Sequence, residues 1–245
     1  MIILRNVSQE FKKGNLRRGR VERVRVLNEI NVAFAPRARI AIFGQRGSGK
    51  TTLLRLMCGA LTPDAGRVSG NRSVSFPIGS AIRIPGATVH QHIRFLAGLY
   101  GRDLNAFTRF VLTFAELGGV VDLPVHTLSA DMRSRLNFTL GFALPFEYYL
   151  FDGAMAFGDH AFREKALKAL EARREAAGVI LATRFPRLAR GNFTNGAVLH
   201  NGKLRLFGDV ERAIAFYESL PVMSSSVKYQ EREEDSRLGE RSLDE

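Results

Sequence analysis

The sequence has very little cysteine: Cys58 is the single thiol in 245 residues. One thiol cannot form an intramolecular disulfide, so a disulfide-stapled fold is excluded. Cys58 follows an apolar helical run, and we expect a packed core thiol there rather than a reactive one. No apolar run reaches the ~18 residues of a membrane-spanning helix, and the first residues do not form a signal-peptide pattern. We therefore expect a cytoplasmic protein whose contact with a membrane is peripheral.

Acidic residues are in the minority, with 24 Asp and Glu against 36 Lys and Arg, which gives a net charge of +12. This excess favours an acidic partner such as a nucleotide, a nucleic acid or an anionic membrane surface, although a basic solvent-exposed face also accounts for it. The length and the 45% hydrophobic content suit one α/β domain with a small subdomain. We expect this domain over residues 1–223 and a disordered tail over the charged, serine-rich residues 224–245.

The most informative motif spans residues 44–51, which fit the phosphate-loop pattern G-x-x-x-x-G-K-[ST] at every defined position. Residues 40–43 before it are predicted to form a buried parallel strand, and residues 52–57 after it a helix. Glycines let the backbone wrap closely around a phosphate, while the loop N–H groups and the helix N-terminus supply positive dipole ends. Lys50 adds a charge for the β- and γ-phosphates, and the Thr51 hydroxyl can ligate Mg²⁺. The predicted phosphate-binding residues are Gly44, Gln45, Arg46, Gly47, Ser48, Gly49, Lys50, Thr51 and Thr52. The alternative, a glycine-rich turn that happens to carry a lysine, does not explain the strand and helix around it.

Hydrophobic periodicity predicts alternating strands and helices in the rest of the chain. Strands are predicted at 1–11, within 21–34, and at 67–76, 148–151 and 179–183, with a hairpin of 197–200 and 204–207 around Asn201 and Gly202, and residues 12–20 are predicted to be a basic loop. Helices are predicted at 90–100, 104–117, 131–143, 160–177 and 210–220. The second of these helices carries an apolar stripe of Phe107, Phe110, Val111 and Phe114, which suits either a helix–helix core or a protein docking surface.

The predicted strand at 148–151 ends in Asp152. In phosphate-loop enzymes an Asp at such a strand end holds the Mg²⁺ shell opposite the loop hydroxyl. The alternative is an Asp that caps the next turn. Lys50 and Thr51 earlier in the chain favour the metal-binding role.

The order of phosphate loop, helical insert, a polar helix start at 128–136 and an Asp-ended strand resembles the nucleotide-binding domain of ATP-binding-cassette (ABC) transporters. Residues 132–136, 146–149 and 157–159 are similar to the branch that exports capsular polysaccharides and related cell-surface glycans. The resemblance covers residues 1 to about 217. It implies an α/β phosphate-loop NTPase core, in which helices flank a mixed sheet, with an antiparallel β part and a small helical subdomain at about 89–143.

The resemblance also implies roles for individual residues. Phe11 matches the aromatic that stacks on adenine, although it is equally an apolar residue of an edge strand. The phosphate loop would hold ATP, with Thr51 and Asp152 on its Mg²⁺. Two such domains pair head to tail, so that the ATP of one also contacts the signature residues of the other. The signature residues here are Ser129, Ala130, Asp131 and Met132, and Gly158 and Asp159 match the loop that crosses to the opposite subunit. The helical subdomain would meet an integral-membrane permease.

Four positions depart from the family pattern, all in the catalytic machinery. Gly153 stands where a Glu should orient or deprotonate the attacking water. Arg184 stands where a His should sense the γ-phosphate, and an arginine cannot accept a hydrogen bond. Asp131 replaces a signature glycine, and we expect its carboxylate to cap its own helix and repel a phosphate. The expected Gln near position 84 is missing, and the nearest glutamine is Gln91.

These departures predict a chain that binds nucleotide and has lost most hydrolytic chemistry. The leading interpretation is the ATP-binding subunit of a polysaccharide exporter at the cytoplasmic face of the membrane, paired with a permease and a second nucleotide-binding subunit. The alternative is a non-hydrolysing, nucleotide-dependent regulatory or scaffold subunit of a glycan export or assembly complex. A nucleic-acid-associated cassette is disfavoured because such proteins usually carry coiled-coil arms or two cassettes in one chain.

Overall fold

The computed structural model describes residues 1–15, 20–70, 73–79, 84–153, 158–173 and 175–221. The strands are β1 (Ile2–Asn15), β2 (Arg20–Phe34), β3 (Arg39–Phe43), β4 (Ala65–Gly70), β5 (Tyr148–Asp152), β6 (Gly178–Thr183), β7 (Asn195–His200) and β8 (Lys203–Phe207). The α-helices are α1 (Lys50–Met57), α2 (Val89–Leu99), α3 (Leu104–Ala115), α4 (Ala130–Phe142), α5 (His160–Ala172) and α6 (Val210–Glu218). The predicted tail at 224–245 lies outside the described residues.

The central sheet has the order β5-β6-β3-β7-β8, with parallel pairs except for the antiparallel β7–β8 hairpin. Alternate residues of β3 enter different cores, since Ile40 and Ile42 pack with β1, β2 and α1, whereas Ala41 and Phe43 pack with α5 and α6. Burial on both faces explains why this strand is a continuous apolar run. The predicted mixed α/β core is confirmed, and the carboxyl ends of β3, β5 and β6 meet at one edge.

A separate antiparallel sheet of order β2-β1-β4 forms the β part. The predicted loop at 12–20 is wrong in part, because β1 continues to Asn15 and β2 begins at Arg20. Polar residues suggested a loop, but an antiparallel ribbon can keep a solvated face and so tolerates them. The predicted extended stretch at 67–76 divides between β4 and a short segment that bridges to β5 at Val74 and Tyr148.

Helices α2, α3 and α4 form the predicted helical subdomain around a core of their own. The aromatic stripe of α3 divides in two. Phe107 and Val111 are buried in this core and Phe114 packs against Phe138, while Phe110 is 39% exposed. The stripe is therefore mainly core.

Two further predictions met different outcomes. Helix α5 ends at Ala172, five residues before the predicted end at 177. The next residue, Arg173, lies over the Phe142 ring and donates to the Phe142 carbonyl at 2.6 Å, an interaction that the apolar pattern did not show.

Cys58 packs against the core beside α1, and burial raises the pKa of its thiol, as expected of a packed cysteine. Among the residues that the structure describes, none of the helices has the length and apolar character to cross a membrane.

Candidate nucleotide-binding site

The phosphate loop joins β3 to α1 at the carboxyl edge of the central sheet. The Gly44 N–H donates to the carbonyl of Thr183 at 3.2 Å, which fixes the start of the loop to β6. Gly49 precedes α1 with φ of +97°, a left-handed conformation that side chains of L-residues rarely adopt. The motif therefore requires glycine at position 49, because the backbone has a positive φ where the loop joins the helix.

Lys50 lies over the loop that it follows. Its Nζ donates to the carbonyls of Gly44 and Gln45 at 2.8 Å each, with Ser48 Oγ at 3.4 Å. These contacts hold the ammonium group at the centre of the loop. The N–H groups of this ammonium could also donate to the oxygens of a bound phosphate. The side chain of Lys50 is therefore already positioned to bind an anion.

The first residue of the loop is closely packed against its own chain. A Cβ on Gly44 would collide with Ser48 Oγ and lie 2.8 Å from the Leu199 carbonyl, so the packing leaves no room for a side chain. The donor set consists of loop N–H groups, one ammonium and one hydroxyl. This chemistry fits a polyphosphate.

Thr51 and Asp152 meet across the site. The Thr51 hydroxyl donates to Asp152 Oδ2 at 2.7 Å, and the two residues are 101 positions apart in sequence. The hydroxyl and carboxylate are oxygen ligands of the kind that Mg²⁺ takes together with nucleotide phosphates. The structure thus brings together the two residues predicted from sequence to be metal ligands.

Gly153 and Arg184, where the family resemblance predicts catalytic residues, lie at the same edge of the sheet. The Gly153 N–H donates to the Ala182 carbonyl at 2.8 Å, so this residue is beside the end of β6. Arg184 follows β6, is exposed, and has its guanidinium 4.6 Å from the centroid of the Phe185 ring. Gly153 has no side chain and Arg184 has only hydrogen-bond donors, so neither residue can accept a proton from water.

The signature region contradicts one prediction. Asp131 does not cap its helix, because the N-cap of α4 is Ser129, whose hydroxyl accepts from the Met132 N–H at 3.1 Å. Asp131 lies in the first turn and accepts from Arg135 Nε at 2.8 Å. The sequence argument placed the cap two residues late, since Asp and Ser are both favoured caps and Asp131 stood in the motif.

Arg135 binds three carboxylates, a cluster that the sequence analysis missed. Besides Asp131, it contacts Glu116 Oε2 at 2.8 Å and Asp159 Oδ2 at 2.7 Å, and its side chain is 15% exposed. Gly158 packs on the same arginine, since a Cβ there would lie 2.8 Å from Arg135 Cγ. The i,i+4 spacing of Asp131 and Arg135 was the available sequence signal.

The predicted residues thus form two groups within one chain. The phosphate loop, Asp152, Gly153 and Arg184 share the carboxyl edge of the central sheet. Of the signature residues, Asp131 contacts Arg135, as do Gly158 and Asp159. Asp159 also caps α5, since its Oδ1 accepts from the Phe162 N–H at 2.8 Å.

Two further predicted positions lie outside these groups. Phe11 is partly buried against the core beneath β1 and pairs with Val24 in the ribbon. Gln91 belongs to the capping box of α2, where its Oε1 accepts from the Thr88 N–H at 2.8 Å.

Comparison with known proteins places these features in a family. Residues 27–156 match the protein family described as ABC transporter. The chain is 35% identical to the polysialic acid transport ATP-binding protein KpsT of Escherichia coli over 198 residues, which cover 79% of this chain and 90% of that protein. It is 32% identical to the capsule polysaccharide export ATP-binding protein CtrD of Neisseria meningitidis over 197 residues, which cover 80% of this chain and 91% of that protein.

The fold agrees with these matches. The dimeric structure of MJ0796, a bacterial ABC transporter cassette, is similar with a TM-score of 0.70 and 21% identity, over 85% of this chain and 98% of that chain. The chain belongs to the ABC transporter family. The predicted family and the predicted fold class are therefore confirmed.

Proposed function

We propose that this chain is the ATP-binding subunit of an exporter for capsular or other cell-surface polysaccharide, with nucleotide binding retained and hydrolysis impaired. The export role rests on the relatives, which are a polysialic acid transport protein and a capsule polysaccharide export protein. One observation carries the nucleotide-binding claim: Thr51 and Asp152 are in contact beside the lysine that the loop carbonyls hold.

ATP with Mg²⁺ fits the residues present. The loop N–H groups and Lys50 would hold the phosphates, with Thr51 and Asp152 on the metal. Bound Mg²⁺ supplies charge neutralisation for the phosphate oxygens. Phe11 is the candidate for stacking on the base.

The loss of hydrolysis follows from the chemistry of two positions. Gly153 offers no group to take a proton, and general-base catalysis typically contributes about 10²–10⁴-fold in rate. The Arg184 guanidinium carries only hydrogen-bond donors, so it would stabilise a bound γ-phosphate but could not accept a hydrogen bond. ATP binding without turnover is the expected combination.

Two partners are proposed. The first is an integral-membrane permease, for which the helical subdomain exposes apolar side chains at Phe95, Leu99 and Tyr100. The second is another nucleotide-binding subunit, either a copy of this chain or an intact paralogue. A chain without hydrolytic chemistry is most useful beside one that has it, and we favour the paralogue. Attachment to the permease would hold the protein at the cytoplasmic face of the membrane.

A regulatory or scaffold subunit that never hydrolyses ATP is the second candidate, and the replaced positions Asp131, Gly153 and Arg184 favour it. ATP turnover of the complex with the permease discriminates the two functions. In the complex that also contains an intact paralogue, turnover that rises with Asp131→Gly supports the exporter subunit, because this residue would face the partner's ATP. Turnover that Asp131→Gly leaves unchanged supports the regulator.

Nucleotide binding itself is tested with a fluorescent ATP analogue. We expect saturable binding of the Mg²⁺ complex in the micromolar to millimolar range and its loss in Lys50→Ala. Lys168→Ala, which removes an exposed lysine from α5, is the matched control and should bind as the unaltered chain does. Identical titrations of the unaltered chain and Lys50→Ala would refute the site.

A further inference from the structure

A cavity lies at the end of α1 that is remote from the phosphate loop. Its volume is about 310 Å³, at the lower end of the range of about 300–1,000 Å³ that is typical of small-molecule sites. Its walls are residues 56–59 and 61–63 at the end of α1, residues 66–70 of β4, and Ile2 of β1. Because α1 has 8 residues and rises about 1.5 Å per residue, the cavity is about 12 Å from the phosphate loop.

The inner wall of the cavity is apolar. Ile2, Leu56 and Met57 line it, are between 1% and 4% exposed, and belong to the core that β1, β2 and α1 share. Gly59 lines another part without a side chain, and a Cβ there would meet no atom within 4 Å. This wall suits the apolar body of a ligand, because such a ligand leaves water on binding.

The rim of the cavity is polar and positively charged. Thr62 and Ser69 contribute hydroxyls and Arg67 contributes a guanidinium. None of the described residues that line the cavity is acidic. Hydroxyl and guanidinium groups donate hydrogen bonds to the oxygens of a carboxylate or a phosphate. The rim therefore suits the charged end of an anion.

Arg67 also lies opposite a second arginine. The register of β1 and β4 pairs it with Arg5, and both residues are exposed. Side chains in such a pair have Cβ atoms about 5 Å apart, and like charges there destabilise the sheet. Neither guanidinium forms an ion pair with a residue that the structure describes. An anion bound by both guanidiniums would remove this repulsion.

We propose that the cavity binds an amphiphilic anion, whose apolar body contacts Ile2, Leu56 and Met57 and whose carboxylate or phosphate group binds Arg67 and Arg5. The apolar wall alone would accept an uncharged molecule, and the arginine pair selects for the anion. Binding at this end of α1 is independent of the phosphate loop and does not compete with nucleotide.

Cys58 reports on the cavity, because it lines the cavity and is the single thiol of the chain. Alkylation of the full-length chain by N-ethylmaleimide is followed by mass spectrometry with octyl phosphate, octanoate or octanol present. When an anion occupies about nine-tenths of the cavities, alkylation should slow about tenfold. Octanol at the same concentration lacks the charged contacts, so it should slow alkylation less than about twofold.

Two variants identify the charged contacts. Arg67→Gln and Arg5→Gln should each weaken the protection by the two anions roughly tenfold, because each removes a charge-assisted hydrogen bond. Arg212→Gln removes an exposed arginine from α6 and is the matched control, with an expected change below about twofold. Both cavity variants should be at least as resistant to urea as the unaltered chain, since each removes a like-charge pair.

Three outcomes would overturn the proposal: no protection of Cys58 by either anion, equal protection by octanol and the anions, or anion protection that survives both Arg67→Gln and Arg5→Gln. Loss of protection in Lys50→Ala would also overturn it, because the anion would then act from the phosphate loop. Vesicles of phosphatidylglycerol distinguish the source of the ligand. Protection by the dissolved anions alone supports a soluble ligand, and protection by the vesicles as well supports a lipid headgroup.

Discussion

Asp131 and Arg135 form an ion pair one turn apart on α4, with 2.8 Å between Asp131 Oδ2 and Arg135 Nε. The pair directs the carboxylate along the helix, while Ser129 caps the helix start. Asp131 still adds negative charge near the N–H groups that would meet a phosphate of the partner's ATP, although Arg135 offsets part of it. Repulsion by Asp131 is therefore expected to be moderate rather than complete.

The position of Asp131 predicts how substitutions change the ATPase activity of a mixed dimer, in which this chain pairs with an intact paralogue. In a complex with an intact paralogue, the site on the partner's phosphate loop keeps its base and sensor and faces Asp131. We expect Asp131→Gly to raise steady-state ATPase and Asp131→Asn to raise it less, because Asn removes the charge and keeps the bulk. Gly153→Glu should give much less stimulation, since it acts on the site that still carries Arg184.

The dimer of this chain with itself supplies the control. Both of its sites contain Gly153 and Arg184, so Asp131→Gly alone should leave turnover near background. Stimulation of the mixed complex by Gly153→Glu but not by Asp131→Gly would show that the working site is on this chain's phosphate loop.

Gly153→Glu should also lower stability. Gly153 has φ of +89°, and although a Cβ there would meet no atom within 4 Å, the backbone conformation disfavours any L-residue. We expect Gly153→Ala and Gly153→Glu each to cost about 1–2 kcal/mol in the free energy of unfolding, measured by urea denaturation. Unchanged stability of the alanine variant would mean that the loop adopts a negative φ at little cost.

Arg135→Ala should destabilise the fold by about 1–3 kcal/mol, because it leaves three carboxylates without their shared cation and removes a side chain that lies over the Phe162 ring. Arg190→Ala is the matched control, since its pair with Glu211 is exposed on both sides and should cost less than about 0.5 kcal/mol. The free energy of unfolding is measured by urea denaturation. Similar decreases in the two variants would show that the Arg135 cluster stabilises the fold no more than an exposed ion pair does.

Tyr148 predicts an alkaline pH dependence. Burial raises the pKa of this tyrosine to about 12, whereas an unfolded tyrosine titrates near pH ~10. Above the lower value the unfolded state loses its proton first, so stability should fall as the pH rises from about 10 to 12, by an amount on the order of 2 kcal/mol.

Tyr148→Phe isolates that contribution. At neutral pH it should cost about 1 kcal/mol, because the Phe34 carbonyl loses the donor that lies at 3.1 Å. This cost should shrink as the pH rises through the tyrosine range. A difference between the two proteins that is constant with pH would contradict the assignment.

Local patterns predicted most of the fold. The phosphate loop, the buried strands and the helices of the subdomain each carry a motif or a period that belongs to one kind of element. Strands were predicted at 1–11 and within 21–34, but the extension of β1 to Asn15 and the start of β2 at Arg20 were missed. The polar residues there pair across strands, and such pairing leaves no local signal. The early end of α5 was missed because it coincides with the contacts of Arg173 on another helix.

In the candidate site, too, some residues were predicted from local patterns and others were not. Thr51 was predicted from the phosphate-loop motif, and Asp152 from the apolar strand that it ends. The parallel sheet brings the carboxyl ends of the two strands to one edge. Asp131 was wrongly predicted as a cap, since propensity alone does not separate it from Ser129. Gln45 Nε2 donates to the Pro221 carbonyl at 2.8 Å, a contact without a sequence signature, because it depends on how α6 packs against Phe43.

The state of the nucleotide on the purified chain tests the central claim most directly. The protein is incubated with Mg²⁺ and ATP labelled on the γ-phosphate, bound nucleotide is crosslinked to the protein by ultraviolet light before free nucleotide is removed, and the bound label is identified. We expect unhydrolysed ATP on the unaltered chain and on Lys168→Ala, and none on Lys50→Ala. Turnover of about 1 s⁻¹, a rate ordinary for an enzyme, that is abolished by Lys50→Ala would contradict the claim and place a working general base elsewhere in the site.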